Sequence, residues 1–160
     1  MAERLASFIS GGGTTMEQII KASQSGEVQM DIACVIASTP NAGGIKKAKD
    51  LGIPEKDIVV IDPNKFKGGD EKVDPEGFGL ALLKELRKRG VTVVTQNGWM
   101  PLTPEHVIDE FRETIFNQHP GPVPEFGGKG MYGRRVHATR LLFVRMTKRD
   151  PWTIATAQRV

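Results

Sequence analysis

A chain of 160 residues, of which 39% are hydrophobic and 26% charged, suits an ordinary globular protein, and we expect residues 1–160 to form a single domain. A formal net charge of +3 with only short basic runs argues against a nucleic-acid partner, and the lack of a long apolar run argues against a membrane partner. The single cysteine, Cys34, excludes an internal disulfide, so the cytoplasm is the expected location.

Strands and helices alternate along the whole sequence. Leu5 to Ile9 is the first predicted strand, and helical spacing of apolar residues begins at Thr14, with Gly26 as a stop. Thr103 is the predicted N-cap of a helix that starts at Pro104. The other predicted strands cover 32–37, 58–61, 91–95, 114–117 and 153–160. Of the other predicted helices, one ends near residue 51 and two cover 75–89 and 136–146. This order predicts an α/β fold with a mainly parallel sheet.

In a parallel sheet of this kind, ligands bind beyond the carboxyl ends of the strands. That rule selects the four loops 10–15, 38–44, 96–103 and 117–135. The functional residues are therefore expected in these loops.

The first loop is rich in glycine and lies between a strand and a helix. Its residues are Gly11, Gly12, Gly13, Thr14 and Thr15. Backbone amides at the start of a helix form a site for an anion such as phosphate. The alternative is a tight turn in which the glycines only permit close packing. The loop matches neither a Walker A loop nor a GxGxxG motif.

A second group consists of Asn117 and His119, which lie two apart at the end of a predicted strand. Side chains at that spacing point to the same face, and Pro120 favours an extended backbone at His119. Acyl transfer to an amine needs a hydrogen-bond donor for the oxyanion and a group that moves protons. Asn117 and His119 could supply them. The alternative is a structural histidine bound to a loop carbonyl.

Other reactive side chains are expected to be structural. Cys34 lies within an apolar strand and is expected in the core, and His106 is expected on the surface of a helix. No metal-ligand spacing is present, so no metal is expected. The glycine-rich segment 127–135, with Lys129 at its start, is either a mobile lid over an anionic ligand or a plain flexible loop.

Taken together, these segments resemble the folate-dependent formyltransferases of the glycinamide-ribonucleotide type. The most specific element is Asn-x-His-Pro-x-x-x-Pro at 117–124. The other matching segments are 9–20, 35–38, 48–54 and 98–104. The resemblance implies a Rossmann-like sheet and the transfer of a formyl group from 10-formyltetrahydrofolate to the amine of glycinamide ribonucleotide in purine biosynthesis. The partners would be small molecules, a phosphoribosyl amine and a folate.

The resemblance also assigns residues. Its phosphate loop falls on Gly13, Thr14 and Thr15, and its catalytic amide and histidine fall on Asn117 and His119. The residues that would bind folate are Met100, Pro101, Leu102, Thr103 and Asn117.

Three features depart from the family's pattern. Thr15 replaces an asparagine, and Pro101 replaces an arginine that would contact folate. The family's catalytic aspartate follows the strand that matches 155–160, so we expect the domain to be incomplete at its C-terminus. Asp150 could replace that aspartate only if the local path of the chain differs.

Several readings of the function remain open from the sequence. The protein could be a related formyltransferase or a formyltetrahydrofolate hydrolase with another acceptor, or a catalytically silent domain that binds nucleotide or folate. An open sheet edge would favour self-association, so a homo-oligomer is also an expectation.

Overall fold

A computed structural model describes residues 2–69, 71–128 and 130–160. The strands are β1 (Glu3–Ile9), β2 (Met30–Ala37), β3 (Ile58–Val60), β4 (Val93–Gln96), β5 (Ile115–His119) and β6 (Thr156–Arg159). The helices are α1 (Thr14–Gln24), α2 (Gly44–Asp50), α3 (Pro75–Lys88), α4 (Glu105–Glu110) and α5 (Arg134–Thr147). In this part of the chain the strands form one sheet in the order β3-β2-β1-β4-β5-β6.

The sheet is parallel except at one edge, where β6 runs antiparallel to β5. This confirms the predicted α/β fold with a mainly parallel sheet. The chain leaves β1 toward β2 on one side and later returns to β4 on the other. The order of the strands therefore reverses between β1 and β4, and a sheet of this kind has its ligand crevice at that point.

Alternating side chains of the central strands bury both faces of the sheet. Phe8 and Ile36 pack on one face in a cluster that includes Leu82 of α3. The neighbouring residues Ile9 and Val35 pack on the other face, in a cluster with residues of α1 and α2. Because successive side chains of a strand point to opposite faces, the apolar runs of β1 and β2 require helices on both sides.

One predicted helix start is wrong. The sequence predicts Thr103 as an N-cap, but α4 begins at Glu105 and its N-cap is Pro104. The reason is a competing partner, because the hydroxyl oxygen of Thr103 accepts a hydrogen bond from Gln96 Nε2 at 2.7 Å. By contrast, α3 begins at Pro75 as predicted, and the Asp74 side chain accepts bonds from the first-turn amides.

Among the described residues, no helix is long and apolar enough to cross a membrane.

Candidate active site

Hydrogen bonds at Ser10 join the loops that follow β1, β2 and β4. Its hydroxyl oxygen accepts bonds from the Ser38 hydroxyl at 2.7 Å and from the Met100 amide at 2.9 Å. The Ser10 amide donates to the Gly98 carbonyl at 3.2 Å. Three of the four loops selected from the sequence are therefore in direct contact at the carboxyl edge of the sheet.

A cleft of about 660 Å³ opens at this edge. Residues from the ends of β1, β4 and β5, from α5 and from β6 line it: Gly11, Gly98, Trp99, Met100, Pro101, Leu102, Asn117, Gln118, His119, Pro120, Val123, Gly127, Gly128, Met131, Tyr132, Gly133, His137 and Gln158. The predicted catalytic pair and four of the five predicted folate residues, Asn117 among them, therefore share one cleft, which the glycine loop reaches through Gly11.

The glycine loop combines close packing with an open helix start. Gly13 is the N-cap of α1 in the left-handed conformation, with φ at 62°, and no side chain caps the helix. A Cβ atom at Gly13 would lie 2.8 Å from the Cα atom of Gly44, so the position requires glycine. The first amides of a helix have no partner within the helix. The loop therefore has both the tight packing of a turn and the open amides of an anion site.

The same loop lies next to the end of β5. The Thr15 hydroxyl donates to the side-chain oxygen of Gln118 at 3.4 Å. An anion held at the start of α1 would therefore lie beside the strand that carries Asn117 and His119.

β5 continues through His119, as Pro120 predicted. His119 is 8% exposed, and its Nε2 atom lies 2.8 Å from the carbonyl oxygen of Phe126. A carbonyl can only accept, so Nε2 must carry the hydrogen in this bond. In the neutral ring the free lone pair is then on Nδ1, which leaves that nitrogen for proton transfer. The loop-carbonyl contact that marks a structural histidine is thus present, but it occupies one nitrogen only.

The segment after β4 carries exposed apolar side chains. Met100 is 54% exposed and Leu102 is 93% exposed. Pro101 and Leu102 also line a neighbouring cavity of about 380 Å³, to which Thr103 contributes. Trp99 is buried, with its ring 4.8 Å from that of Phe8. The apolar wall available to a ligand therefore consists mainly of Met100 and Leu102.

Two expectations about other reactive residues have different outcomes. Cys34 lies in the core as predicted, and burial raises the pKa of its thiol to about 12. His106, expected on the surface of its helix, is half-buried. Its ring packs against Gly79 of α3, and its Nε2 atom is buried without a hydrogen-bond partner among the described residues. A glycine at that point of α3 leaves room for the ring.

These features correspond to a known family. The family model described as formyl transferase matches residues 3–140. This chain belongs to the formyl transferase family. The match includes the glycine loop, the Met100–Leu102 segment, Asn117 and His119.

Individual relatives agree with this membership of the formyl transferase family. The chain is 38% identical over 136 residues to the chloroplastic phosphoribosylglycinamide formyltransferase of Vigna unguiculata, covering 84% of this chain and 40% of the relative. It is 31% identical over 136 residues to the Haemophilus influenzae phosphoribosylglycinamide formyltransferase, and the alignment covers 85% of this chain and 60% of that relative. Glycinamide ribonucleotide transformylase 1 from Symbiobacterium toebii has a similar structure, with a TM-score of 0.77 and 25% identity over 99% of this chain and 66% of that one. The chain thus spans about half the length of the first two relatives.

The expected replacement for the catalytic aspartate lies away from the cleft. Among the described lining residues of the cleft, none is an aspartate or a glutamate. Asp150 lines a separate cavity with Arg140 and Phe143, and its backbone carbonyl accepts a bond from Arg140. No group of three or more potential metal ligands occurs in the described residues. Lys129, in the glycine-rich segment 127–135, lies outside the described residues.

Two described residues of the cleft lie outside the four loops selected from the sequence. His137 lies in the first turn of α5, and Gln158 lies opposite Asn117 in the antiparallel pair of β5 and β6. Gln158 could have been predicted only from the direction of β6, and the alternating pattern of residues in β6 does not reveal that direction.

Proposed function

We propose that this protein transfers the formyl group of 10-formyltetrahydrofolate to the amine of glycinamide ribonucleotide, a reaction of purine biosynthesis. The observation that carries the proposal is the position of Asn117 and His119 in one cleft with the Met100–Leu102 segment, beside the glycine loop. Membership of the formyl transferase family supports this reaction. The relatives named above carry the same activity in their names.

Asn117 and His119 would divide the chemistry of the transfer. The amine nitrogen attacks the formyl carbon, and the bond from that carbon to the folate nitrogen breaks. The side-chain amide of Asn117 would donate to the oxygen that becomes negative in the tetrahedral intermediate. His119, through Nδ1, would take a proton from the amine and return one to the departing folate nitrogen.

The two substrates would occupy neighbouring parts of the cleft. The phosphate of the ribonucleotide would bind the loop Gly11–Thr15, where the amides and the helix dipole favour an anion. The folate would lie along Met100, Pro101 and Leu102, with Thr103 at the far end and Asn117 at the reacting centre. A volume of about 660 Å³ is of the size that binds small molecules.

A transfer assay with both substrates tests the proposal. Formylated ribonucleotide is measured by mass spectrometry, and formate is measured with the ribonucleotide left out. Formylated product supports the proposal. Formate alone would identify a hydrolase, and binding without either product would identify a silent domain. Both of these outcomes would overturn it.

A matched pair of asparagine variants then tests the site. Asn117→Ala should lower kcat roughly a hundredfold through the lost oxyanion donor. Asn64→Ala removes an exposed asparagine of the loop after β3 and should leave kcat unchanged. Equal rates for the two variants would remove Asn117 from the mechanism.

A further inference from the structure

Helix α5 rests on the loop that follows His119. Its buried side chains are Val136 and Arg140, which lie one turn apart on the same face. Val136 packs so closely on Gly121 that a Cβ atom there would lie 2.7 Å from Val136 Cγ1. Arg140 lies over the ring of Phe126. The helix thus contacts both ends of the segment 121–126.

The guanidinium of Arg140 is held on several sides. Its central carbon lies 5.2 Å from the ring centre of Phe126 and 5.3 Å from that of Phe143. Its Nη2 atom donates to the carbonyl oxygens of Asp150 and Trp152, each at 2.6 Å. A cation over the face of an aromatic ring is attracted to it, and the attraction is larger when water is excluded. With Arg140 only 6% exposed, the contact fixes the ring of Phe126.

Phe126 connects this cluster to His119. The Phe126 side chain is 8% exposed and its ring packs edge-on against Phe143. The carbonyl oxygen of the same residue is the partner of His119 Nε2 at 2.8 Å. The position of that oxygen therefore depends on a ring that Arg140 holds.

We propose that Arg140 is a positioning residue for His119. By fixing Phe126, it keeps a carbonyl oxygen in place to accept the Nε2 hydrogen, so that neutral His119 has its lone pair on Nδ1. Loss of Arg140 frees this carbonyl, and the ring then samples both tautomers and other orientations. The consequence for the rate rests on the proposed function, whereas the consequence for the tautomer rests on the contacts alone.

Three variants separate this role from general stability. Arg140→Met keeps an unbranched side chain and removes the cation. Phe126→Leu keeps the backbone carbonyl and removes the ring. Arg145→Met removes an exposed arginine from the same helix and serves as the control. Far-UV circular dichroism and thermal melting establish that each variant is folded.

The decisive readout is the tautomer of His119 by ¹⁵N NMR on protein labelled at histidine. The chain has three histidines, so a His119→Gln spectrum assigns the signals. In the parent protein and in Arg145→Met we expect a hydrogen on Nε2 and none on Nδ1 at a pH where the ring is neutral. In Arg140→Met and Phe126→Leu we expect signals averaged between the two tautomers.

Kinetics supply the second readout. In Arg140→Met we expect kcat to fall roughly 10- to 100-fold, since a misoriented catalytic group costs this much. The KM for the ribonucleotide should change less than about twofold. Its phosphate site is in another loop, and KM reports ribonucleotide affinity when the chemical step is slower than substrate release. Because a partly unfolded variant would also lower the apparent kcat without changing KM, kcat is calculated per folded protein from the melting curve.

The outcomes are distinct. If folded Arg140→Met and Phe126→Leu both keep the parent tautomer, the proposal is overturned. If Arg140→Met does not fold, Phe126→Leu decides by the same criterion. If the tautomer changes but the parent protein itself transfers no formyl group, the positioning role stands and the proposed function fails.

Discussion

Two helices of equal length show how differently the two parts of this molecule are held. Helices α3 and α5 each have 14 residues. In α3 the buried residues are Phe78, Gly79, Leu82, Leu83 and Leu86. In α5 they are Val136 and Arg140, while Leu141 and Met146 are 71% and 75% exposed. Both core clusters draw their buried residues from the range 6–115.

This difference in packing suggests that one region mainly determines the stability of the fold and the other mainly determines the reaction rate. The region 3–115 is a packed scaffold that sets the glycine loop, the Met100 segment and the start of β5. The region after His119 is joined to it by the pairing of β6 with β5 and by the bond of His119 to Phe126, and α5 packs on this region through Val136 and Arg140. Substitutions in the scaffold should therefore mainly change the free energy of unfolding, and substitutions around α5 should mainly change the rate.

The largest expected effect is on stability, in a matched pair of leucines. Leu82 is fully buried in α3 and Leu141 is 71% exposed in α5. Leu82→Ala should lower the free energy of unfolding by about 3 kcal/mol or more, through lost burial and the cavity left behind. Leu141→Ala should change it by less than about 0.5 kcal/mol. Urea unfolding measures both, and equal losses would show that α5 is as tightly packed as α3.

Next in size is the effect of the glycine loop on ribonucleotide affinity. Gly13→Val forces a β-branched residue into the left-handed region and against Gly44, which displaces the amides at the start of α1. The affinity measured by calorimetry should fall roughly a hundredfold, equivalent to two charge-assisted hydrogen bonds.

Its control lies at the other end of the same helix. Gly26 also has a positive φ, of 78°, but no atom lies near the added Cβ. Gly26→Val should destabilise the fold and leave ribonucleotide affinity unchanged. Similar affinities for both variants would mean that the loop is a turn without a phosphate role.

A smaller effect is expected at Leu102, in the apolar wall proposed to contact folate. Leu102 is 93% exposed beside the cleft, and Leu80 is 52% exposed on α3. If a folate covers Leu102, Leu102→Ala should weaken the binding of a folate analogue about tenfold, because burial of a leucine contributes about 1.5 kcal/mol or more. Leu80→Ala should have no effect. Fluorescence titration compares the two, and an unchanged affinity in Leu102→Ala would exclude this wall.

The smallest expected effect is on acid stability. Hydrogen bonds from Lys21 and Lys47 lower the pKa of Glu17 from 4.5 to about 2. A lowered pKa contributes stability that is present above the unfolded value and is lost as pH falls toward about 2. Glu17→Gln should therefore reduce the loss of stability between these pH values, whereas Glu27→Gln, at an exposed glutamate, should not. Identical acid-unfolding curves for the two variants would contradict this.

The sequence predicts the scaffold well because its signals are local. The run of apolar residues at β2 must be buried on both faces, and Gly26 ends α1 with a positive φ. Asp74 and Pro75 define the start of α3. Each of these features depends on neighbours within a few residues, so pattern and propensity suffice.

The parts that the sequence does not predict depend on distant partners. Thr103 has the residue type of an N-cap but bonds Gln96 instead. His106 is half-buried because a glycine of another helix leaves room for its ring. The direction of β6, and with it the place of Gln158 in the cleft, follows from the path of α5. The partner of His119 is the backbone carbonyl oxygen of Phe126. Every residue type has this atom, so the identity of residue 126 does not predict the contact.

The most direct test of the proposed chemistry is the single variant His119→Ala, assayed for formyl transfer and for ribonucleotide binding in parallel. Loss of the group that moves protons should lower kcat roughly a hundredfold or more. The dissociation constant for the ribonucleotide should stay within about twofold of the parent value, because the phosphate site lies in the glycine loop. An unchanged kcat, or a loss of affinity as large as the loss of rate, would contradict the role assigned to His119.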